Sequence, residues 1–136
     1  MKESICAFFG MIGGAIAAML GGWTSSLTTL LILMAIDYVT GLILAAVFKK
    51  SPKSDDGALD SKAGFKGLVK KGMMLVLVLV AHLLDVEMGT NYARDATCIA
   101  LALNETISVM ENAGQMGLPI PAVITDAIEV LRNKKE

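Results

Sequence analysis

With 136 residues, 54% of them hydrophobic, and a formal net charge of −1, the chain has the composition of a small single-domain membrane protein. The apolar residues lie in long blocks, and this arrangement disfavours a soluble globular domain. Cys6 and Cys98 stand far apart in apolar surroundings. They are therefore interpreted as small buried hydrophobic residues and not as a disulfide, a metal site or a nucleophile.

The first apolar block covers residues 5–20 and is followed by a Gly-Gly and Ser-Ser turn that contains Trp23. This tryptophan is expected to anchor the turn at a membrane interface. A secretory signal peptide is the alternative, because residues 15–17 (Ala-Ile-Ala) resemble a cleavage site. The N-terminal region carries only Lys2, offset by Glu3, so a retained transmembrane helix is favoured.

The second apolar block, residues 27–48, contains one charged residue, Asp37, near its middle. At ~1.5 Å per residue the block reaches ~33 Å, which is enough to cross a hydrocarbon core of ~30 Å. An acid at the centre raises the free energy of membrane insertion by ~2.5–3.5 kcal/mol. Each of the many Leu, Ile, Val and Phe neighbours lowers it by at most ~0.3–0.6 kcal/mol. The block is expected to span the membrane with Asp37 facing a partner, water or a pore.

Residues 49–71 are predicted to form a basic cytoplasmic loop whose last part, residues 61–71, is an interfacial helix leading into the membrane. Its lysines flank two apolar blocks, where positive charge is held on the cytoplasmic side and is attracted to anionic lipid headgroups. A nucleic-acid patch is the alternative, and the position between apolar blocks argues against it. The lysines expected to set topology and contact headgroups are Lys49, Lys50, Lys53, Lys62, Lys66, Lys70 and Lys71.

The third block covers residues 72–84 and is long enough to span only if it extends to Met88. Its β-branched residues suggest a strand, but a lone strand cannot satisfy its backbone in lipid, so a helix is predicted. Thr90 or Asn91 is expected to cap a fourth helix that begins near Ala93 and ends at Gly114 or Gly117. Whether this helix crosses the membrane is left open.

A last helix follows Pro119 and Pro121 and is amphipathic, so it is expected to lie on the membrane or to pack on the bundle. The predicted fold is therefore all-α, a small integral membrane protein with three to four hydrophobic helices plus a C-terminal amphipathic helix. Its parts are a transmembrane hairpin (1–48), the basic loop (49–71), the third and fourth hydrophobic helices (72–117) and the amphipathic helix (118–136). A cytoplasmic loop places the N-terminus inside and the hairpin turn outside.

Small residues recur at every fourth position in two of the predicted helices, and this spacing allows close helix approach in lipid. Packing within a monomer is one explanation, but two separate rows in so small a chain favour self-association. The candidate oligomerisation residues are Gly10, Gly14, Ala18, Gly22, Gly41 and Ala45.

A second pattern consists of polar residues on the fourth helix, which helical spacing places in one stripe with Glu105 at its edge. One interpretation is an ordinary solvated face. The other is a stripe that is hidden in a resting oligomer and lines water in an open one, together with Asp37. The candidate pore-lining residues are Asp37, Asn104, Glu105, Ser108, Glu111 and Asn112.

Catalytic chemistry is not indicated. His82 has no acid, Ser or Cys at catalytic spacing, and Asp85, one turn along, is in a position to hydrogen-bond it. The chain carries no metal-binding, phosphate-loop or nucleophile-elbow signature, so neither an enzyme nor a cofactor is expected.

A series of short motifs follows in order through nearly the whole chain, with residues 53–60 less typical. The motifs are Asp37-Tyr38-Val39-Thr40-Gly41, Ser61-Lys62-Ala63-Gly64-Phe65-Lys66-Gly67, Lys70-Lys71, Asp85, Arg94-Asp95, Asn104-Glu105, Ser108, Glu111-Asn112 and Gly117-Leu118-Pro119-Ile120-Pro121. Taken together, this ordered set resembles the toxin-secretion/phage-lysis holin family.

The resemblance implies a phage or prophage protein with several spans in the bacterial cytoplasmic (inner) membrane. Such a protein forms large homo-oligomers among membrane lipids and opens large non-specific lesions. An endolysin, or in some relatives a large toxin, passes through without required direct contact. Two alternatives remain: a membrane anchor that docks a cytoplasmic partner through its basic loop, and a small selective channel. The channel is the less favoured, because the chain has no inverted repeat with paired broken helices.

Overall fold

The structure, a computed structural model, describes residues 1–135, and these form five α-helices and no strand. The all-α prediction is confirmed. One π-helical turn, Leu44–Phe48, prolongs the second helix. The helices are α1 (Lys2–Met19), α2 (Ser25–Ile43), α3 (Ser61–Met88), α4 (Ala93–Gln115) and α5 (Ala122–Lys135).

Three of these segments are long and apolar enough to cross a membrane: Lys2–Met19, Ser25–Phe48 and Ser61–Met88. The third block is thus a helix, as predicted. It begins at Ser61, where the Asp60 side chain caps it by accepting from the Lys62 N–H at 3.0 Å. Because α3 has 28 residues, it is about 42 Å long, which exceeds the thickness of a ~30 Å core.

Helix α4 packs along α2 over most of its length and also along α3. The two helices α2 and α4 run parallel, with Ser26 beside Asp95 at one end and Thr40 beside Asn112 further along. Helix α3 runs antiparallel to both, which follows from the short turn between α3 and α4. The apolar core between them contains Leu20, Leu27, Leu30, Met34, Val78 and Cys98.

Helix α1 packs on the other helices only near its C-terminal end, where Ala17 is its buried residue. A tight turn then leads into α2, and both of its glycines have positive φ, 94° at Gly21 and 91° at Gly22. A Cβ at Gly21 would lie 2.5 Å from Arg94 Nη1 and 2.6 Å from His82 Nδ1, so the turn requires glycine there.

The two cysteines differ. Cys98 is buried in the core, as expected, whereas Cys6 is exposed, so the interpretation of Cys6 as a buried residue is wrong. The reason is that Cys6 lies on the part of α1 that has no packing partner within the described residues. The C-terminal helix α5 contacts α4 only lightly, with Ile128 as its buried residue.

Candidate functional site

Helices α2, α3 and α4 each contribute one charged side chain to a buried group that we term the ion cluster: Asp37, Lys71 and Glu105. The Lys71 ammonium donates to Asp37 Oδ2 at 2.8 Å and to Glu105 Oε2 at 2.5 Å. The side chains of Asp37, Lys71 and Glu105 are only 6%, 14% and 8% exposed. One ammonium therefore joins three helices through two carboxylates, far from any helix end of α2 or α4.

Asn112 of α4 completes the pairing of Asp37. Its amide nitrogen lies 3.2 Å from Asp37 Oδ1, 3.3 Å from the Asp37 carbonyl oxygen and 2.9 Å from Thr40 Oγ1. The Thr40 hydroxyl turns back to the helix and lies 2.8 Å from the Ile36 carbonyl. Both carboxylate oxygens of Asp37 thus accept a hydrogen bond, which offsets the cost of its burial.

The ion cluster has unequal numbers of acids and bases. Two carboxylates face one ammonium, so removing Lys71 would leave two buried acids without a cation, whereas removing one acid would leave a balanced pair. Loss of one partner from a buried ion pair typically costs ~3–5 kcal/mol. Lys71 is therefore the member on which the contact between the three helices depends most.

Two of the sequence motifs meet at this cluster. The ring of Tyr38, next to Asp37, lies against Gly64 and Gly67 of α3, with its hydroxyl 3.4 Å from a Cβ built at Gly64. Glycine at these positions leaves room for the Tyr38 ring between the two helices, and Lys71, one turn beyond Gly67, then reaches Asp37. The ring explains why glycines precede the lysine on one face of α3.

A cleft with a volume of about 250 Å³ opens beside the ion cluster, on the side of the lysine-rich loop. Its walls come from α2, α3, α4 and residues 51–54 and 58–60 of the loop. Polar side chains that line it include Tyr38, Lys70, Lys71, Glu105, Ser108 and Asn112. The charged groups are therefore covered by protein on most sides and face the cleft on the remaining side.

A second polar group, which we term the capping cluster, lies at the opposite end of the bundle and consists of Asp85, Thr90 and Arg94. Asp85 Oδ1 accepts from the Thr90 hydroxyl at 2.6 Å and from the Ala93 N–H at 2.9 Å, and Oδ2 accepts from the Arg94 N–H at 2.9 Å. Asp85 of α3 thus satisfies the first N–H groups of α4. The prediction that Thr90 or Asn91 caps α4 is wrong, because the tight turn carries Asp85 over the helix end.

The Arg94 side chain of the same cluster fixes the end of α1. Its Nη1 donates to the Leu20 carbonyl at 2.9 Å and to the Gly22 carbonyl at 3.2 Å. The neighbouring Asp95 accepts from the Ser26 hydroxyl at 2.9 Å, which ties the start of α2 to the start of α4. The capping cluster therefore satisfies backbone groups at the start of α4 and at the end of α1.

The predicted polar stripe of α4 is divided between two surroundings. Glu105 and Asn112 are buried against α2 and α3, and Ser108 is half-buried at the cleft, while Asn104 and Glu111 are exposed. The five residues fall within about a third of a turn of the helix surface, and the edge of the packed face runs through that sector. The sequence pattern alone does not show where this edge lies.

The two small-residue rows also differ. Gly10, Gly14 and Ala18 are exposed on α1, and Gly22 is half-buried in the turn. In the second row, Ala45 is buried and Gly41 faces Asn112. The row on α2 thus packs within the chain, whereas the row on α1 lies on the surface.

Among the lysines expected to contact headgroups, Lys49, Lys50, Lys53, Lys62, Lys66 and Lys70 are exposed, and Lys71 is turned into the ion cluster. The sequence reasoning did not identify the pairing of Lys71, nor the capping roles of Asp85 and Arg94. One signal for Lys71 was present. It shares a helical face with Gly64, Gly67, Met74 and Val78, which is the small and apolar face of α3.

These features define a helical membrane protein whose buried charges are paired inside its own bundle. Comparison with known proteins gives the family: residues 14–133 match the model of the bacteriophage holin family. The chain belongs to this family. No solved structure matches it.

Curated relatives match along most of their length. A probable holin of Bacillus phage phi105 is 35% identical over 88% of this chain and 83% of its own. A 14.9 kDa protein of Clostridium perfringens from the region 3′ of nagH is 39% identical over 85% of this chain and 83% of its own. An uncharacterized protein of Halalkalibacterium halodurans is 35% identical over 90% and 89%.

Proposed function

We propose that this protein is a holin that oligomerises in the bacterial cytoplasmic membrane and forms large non-specific lesions. An endolysin, which needs no direct contact with the holin, passes through them and reaches the cell wall; a large toxin is the alternative cargo. The observation that carries the proposal is the ion cluster, because it supplies intramembrane polar groups that a closed bundle keeps away from lipid.

The proposed topology follows from the charges. The lysine-rich segment lies on the cytoplasmic side, residues 1–48 form a hairpin with the N-terminus inside, and α3 leads outward to the capping cluster. Helix α4 returns along α2, which it contacts from Ser26 to Thr40. Three of its polar side chains, Arg94, Glu105 and Asn112, are buried and paired, which lowers the cost of this return through lipid, whereas Asn104 and Glu111 are exposed.

Opening is proposed to separate α2 from α3 and α4 at the level of the ion cluster. Facing lipid, the freed Asp37, Lys71 and Glu105 would be very costly, but facing water shared between several copies they would be solvated. Separation therefore becomes favourable only when enough copies surround a common aqueous space. This dependence on density gives a physical reason for a sudden onset after a period of accumulation.

The test is inducible expression in bacteria that contain a folded cytoplasmic reporter, with and without an endolysin that lacks an export signal. A holin stops growth abruptly and releases the reporter, and the culture lyses only when the endolysin is present. Intact cells despite membrane accumulation would support an anchor instead, and depolarisation without reporter release would support a small channel. Either of these results would overturn the proposal.

The substitution Asp37→Asn tests the part given to the ion cluster. Asparagine keeps the shape of the side chain but removes one of the two acids, so Lys71 and Glu105 are left as a balanced pair and the closed state changes in energy. We expect a strong shift in the time of lysis. The matched control is Asp55→Asn in the exposed loop, which should lyse with the parent; equal timing of the two variants would contradict the role of Asp37.

A further inference from the structure

The outward face of α4 carries exposed polar groups, and this raises the question of what the face contacts. Asn104 and Glu111 are exposed on that face, and Glu111 takes part in none of the ion pairs among the described residues. Ala96, Ala100 and Ile107 lie on the same face, so its polar groups are separated by apolar residues. Small and polar residues on one helix face favour another helix over lipid chains.

Helix α3 presents the opposite charge on its own outward face. Lys62 and Lys66 are exposed there, followed at helical spacing by the exposed Val69 and Met73. Gly72 lies about a third of a turn around α3 from Lys66, at the edge of this face. This part of α3 is thus basic toward the loop and apolar beyond it.

The two faces match in height along the bundle. The contact between Lys71 and Glu105 places these two residues at a common level, and α3 and α4 run antiparallel. Glu111, six residues after Glu105, therefore lies about 9 Å toward the lysine-rich end, and Lys66, five residues before Lys71, lies about 7.5 Å in the same direction. Asn104 and Gly72 each lie about 1.5 Å from the common level on its other side.

We propose that the outward face of α4 binds the outward face of α3 of a second copy of this chain, with Glu111 beside Lys66. Side-by-side copies in one membrane keep the same depth, so residues at equal height face each other. The two faces are different, so the contact is heterologous: the first copy keeps its α3 face free and the second keeps its α4 face free. Repetition gives a ring or an open chain of copies, and the inference rests on the self-association that the proposed function requires.

The test is cysteine cross-linking between copies that carry different affinity tags. The parent has Cys6→Ser and Cys98→Ala, and one copy carries Lys66→Cys while the other carries Glu111→Cys. A short membrane-permeable bismaleimide is added before lysis in cells without endolysin. We expect a mixed dimer in good yield, little product from either single variant alone, and a ladder of higher bands when both cysteines are in the same chain.

The matched control replaces Glu111→Cys by Val47→Cys, which is exposed near the same end of the bundle but on α2. It should give no mixed dimer above background. Dimers of Glu111→Cys alone would indicate a symmetric contact between two α4 helices, and absence of any product would indicate that lipid covers α4. Both results would overturn the proposed interface.

A charge exchange provides a readout that does not depend on cysteines. Glu111→Lys alone places like charges at the contact. It should abolish the ladder of oligomers formed with a cross-linker that does not react with amines, and it should delay lysis. Addition of Lys66→Glu should restore both the ladder and the time of lysis. Failure of the second change to restore them would contradict the pairing. Lysis with endolysin but without cross-links would refute the interface and leave the holin function standing; cross-links without lysis would do the reverse.

Discussion

The ion cluster and the capping cluster both bury charged side chains, but they hold different kinds of groups. In the capping cluster, Asp85 and Arg94 bind backbone N–H and carbonyl groups at helix ends, which need a partner whenever the helices exist. In the ion cluster, most of the binding is between side chains of three helices, which can exchange their partners for water.

The two clusters have different tasks within one small bundle: one holds helix ends together, and the other pairs side chains across helices. Groups that satisfy helix ends have no better partner in an open state, so they are suited to keep the connections between helices fixed. Side chains paired across helices have a second favourable environment, which is water. In the opening that we propose, the contacts beside the cleft separate and those at the opposite end stay in place.

The largest effect is expected from Lys71→Met. The change leaves Asp37 and Glu105 buried without their cation, and the free energy of unfolding in detergent micelles should fall by ~3–5 kcal/mol. Thermal unfolding followed by circular dichroism provides the measurement. The control is Lys70→Met, which removes an exposed lysine one residue away and should change the free energy by no more than ~0.5 kcal/mol.

A compensated variant distinguishes charge from packing. In Asp37→Asn, Lys71→Met and Glu105→Gln combined, no ionised group stays buried at the site, so most of the lost stability should return. If the triple variant is less stable than Lys71→Met alone, the cluster acts through shape and not through charge.

A smaller effect is expected from Asp85→Ala in the capping cluster. Two backbone N–H groups and the Thr90 hydroxyl lose a charged acceptor, so the free energy of unfolding should fall, by less than in Lys71→Met. Amide hydrogen exchange should accelerate at Ala93 and Arg94 more than at the middle of α4. Glu87→Ala, an exposed acid on the same helix, is the control, and equal exchange in the two variants would contradict the capping role.

The predictability of the fold and of the site differs for physical reasons. Helices α1 to α3 follow from apolar runs of spanning length, because in lipid the backbone must satisfy itself within each segment. The polarity of Asp37 within such a run marks it as a residue that needs a partner. These conclusions depend only on local composition, so the sequence is sufficient for them.

The partners depend on long-range packing that no local pattern encodes. Lys71 follows Lys70 at the edge of a basic segment, and its charge alone predicts contact with lipid headgroups. In the structure it pairs instead with an acid 34 residues away. Asp85 caps α4 because Gly89, with a φ of 66°, turns the chain sharply enough to carry α4 back beside α3. To predict either contact, one must know the angle between the helices as well as where each helix begins and ends.

The smallest effect is expected from Gly41→Ala, and its sign tests how closely α2 and α4 pack at the ion cluster. A Cβ at Gly41 would lie 3.8 Å from Asn112 Nδ2, which is ordinary van der Waals contact, so the methyl group fits without moving the amide. Alanine is favoured over glycine within a helix by ~0.5–1 kcal/mol, and the free energy of unfolding should therefore rise by up to that amount. Gly64→Ala is the matched comparison, because its Cβ would lie 3.4 Å from the Tyr38 hydroxyl and should gain less. If Gly41→Ala instead destabilises the protein, the added methyl group must clash with the amide of Asn112. The distance between α2 and α4 at the ion cluster is then shorter than the hydrogen bonds of Asp37 require.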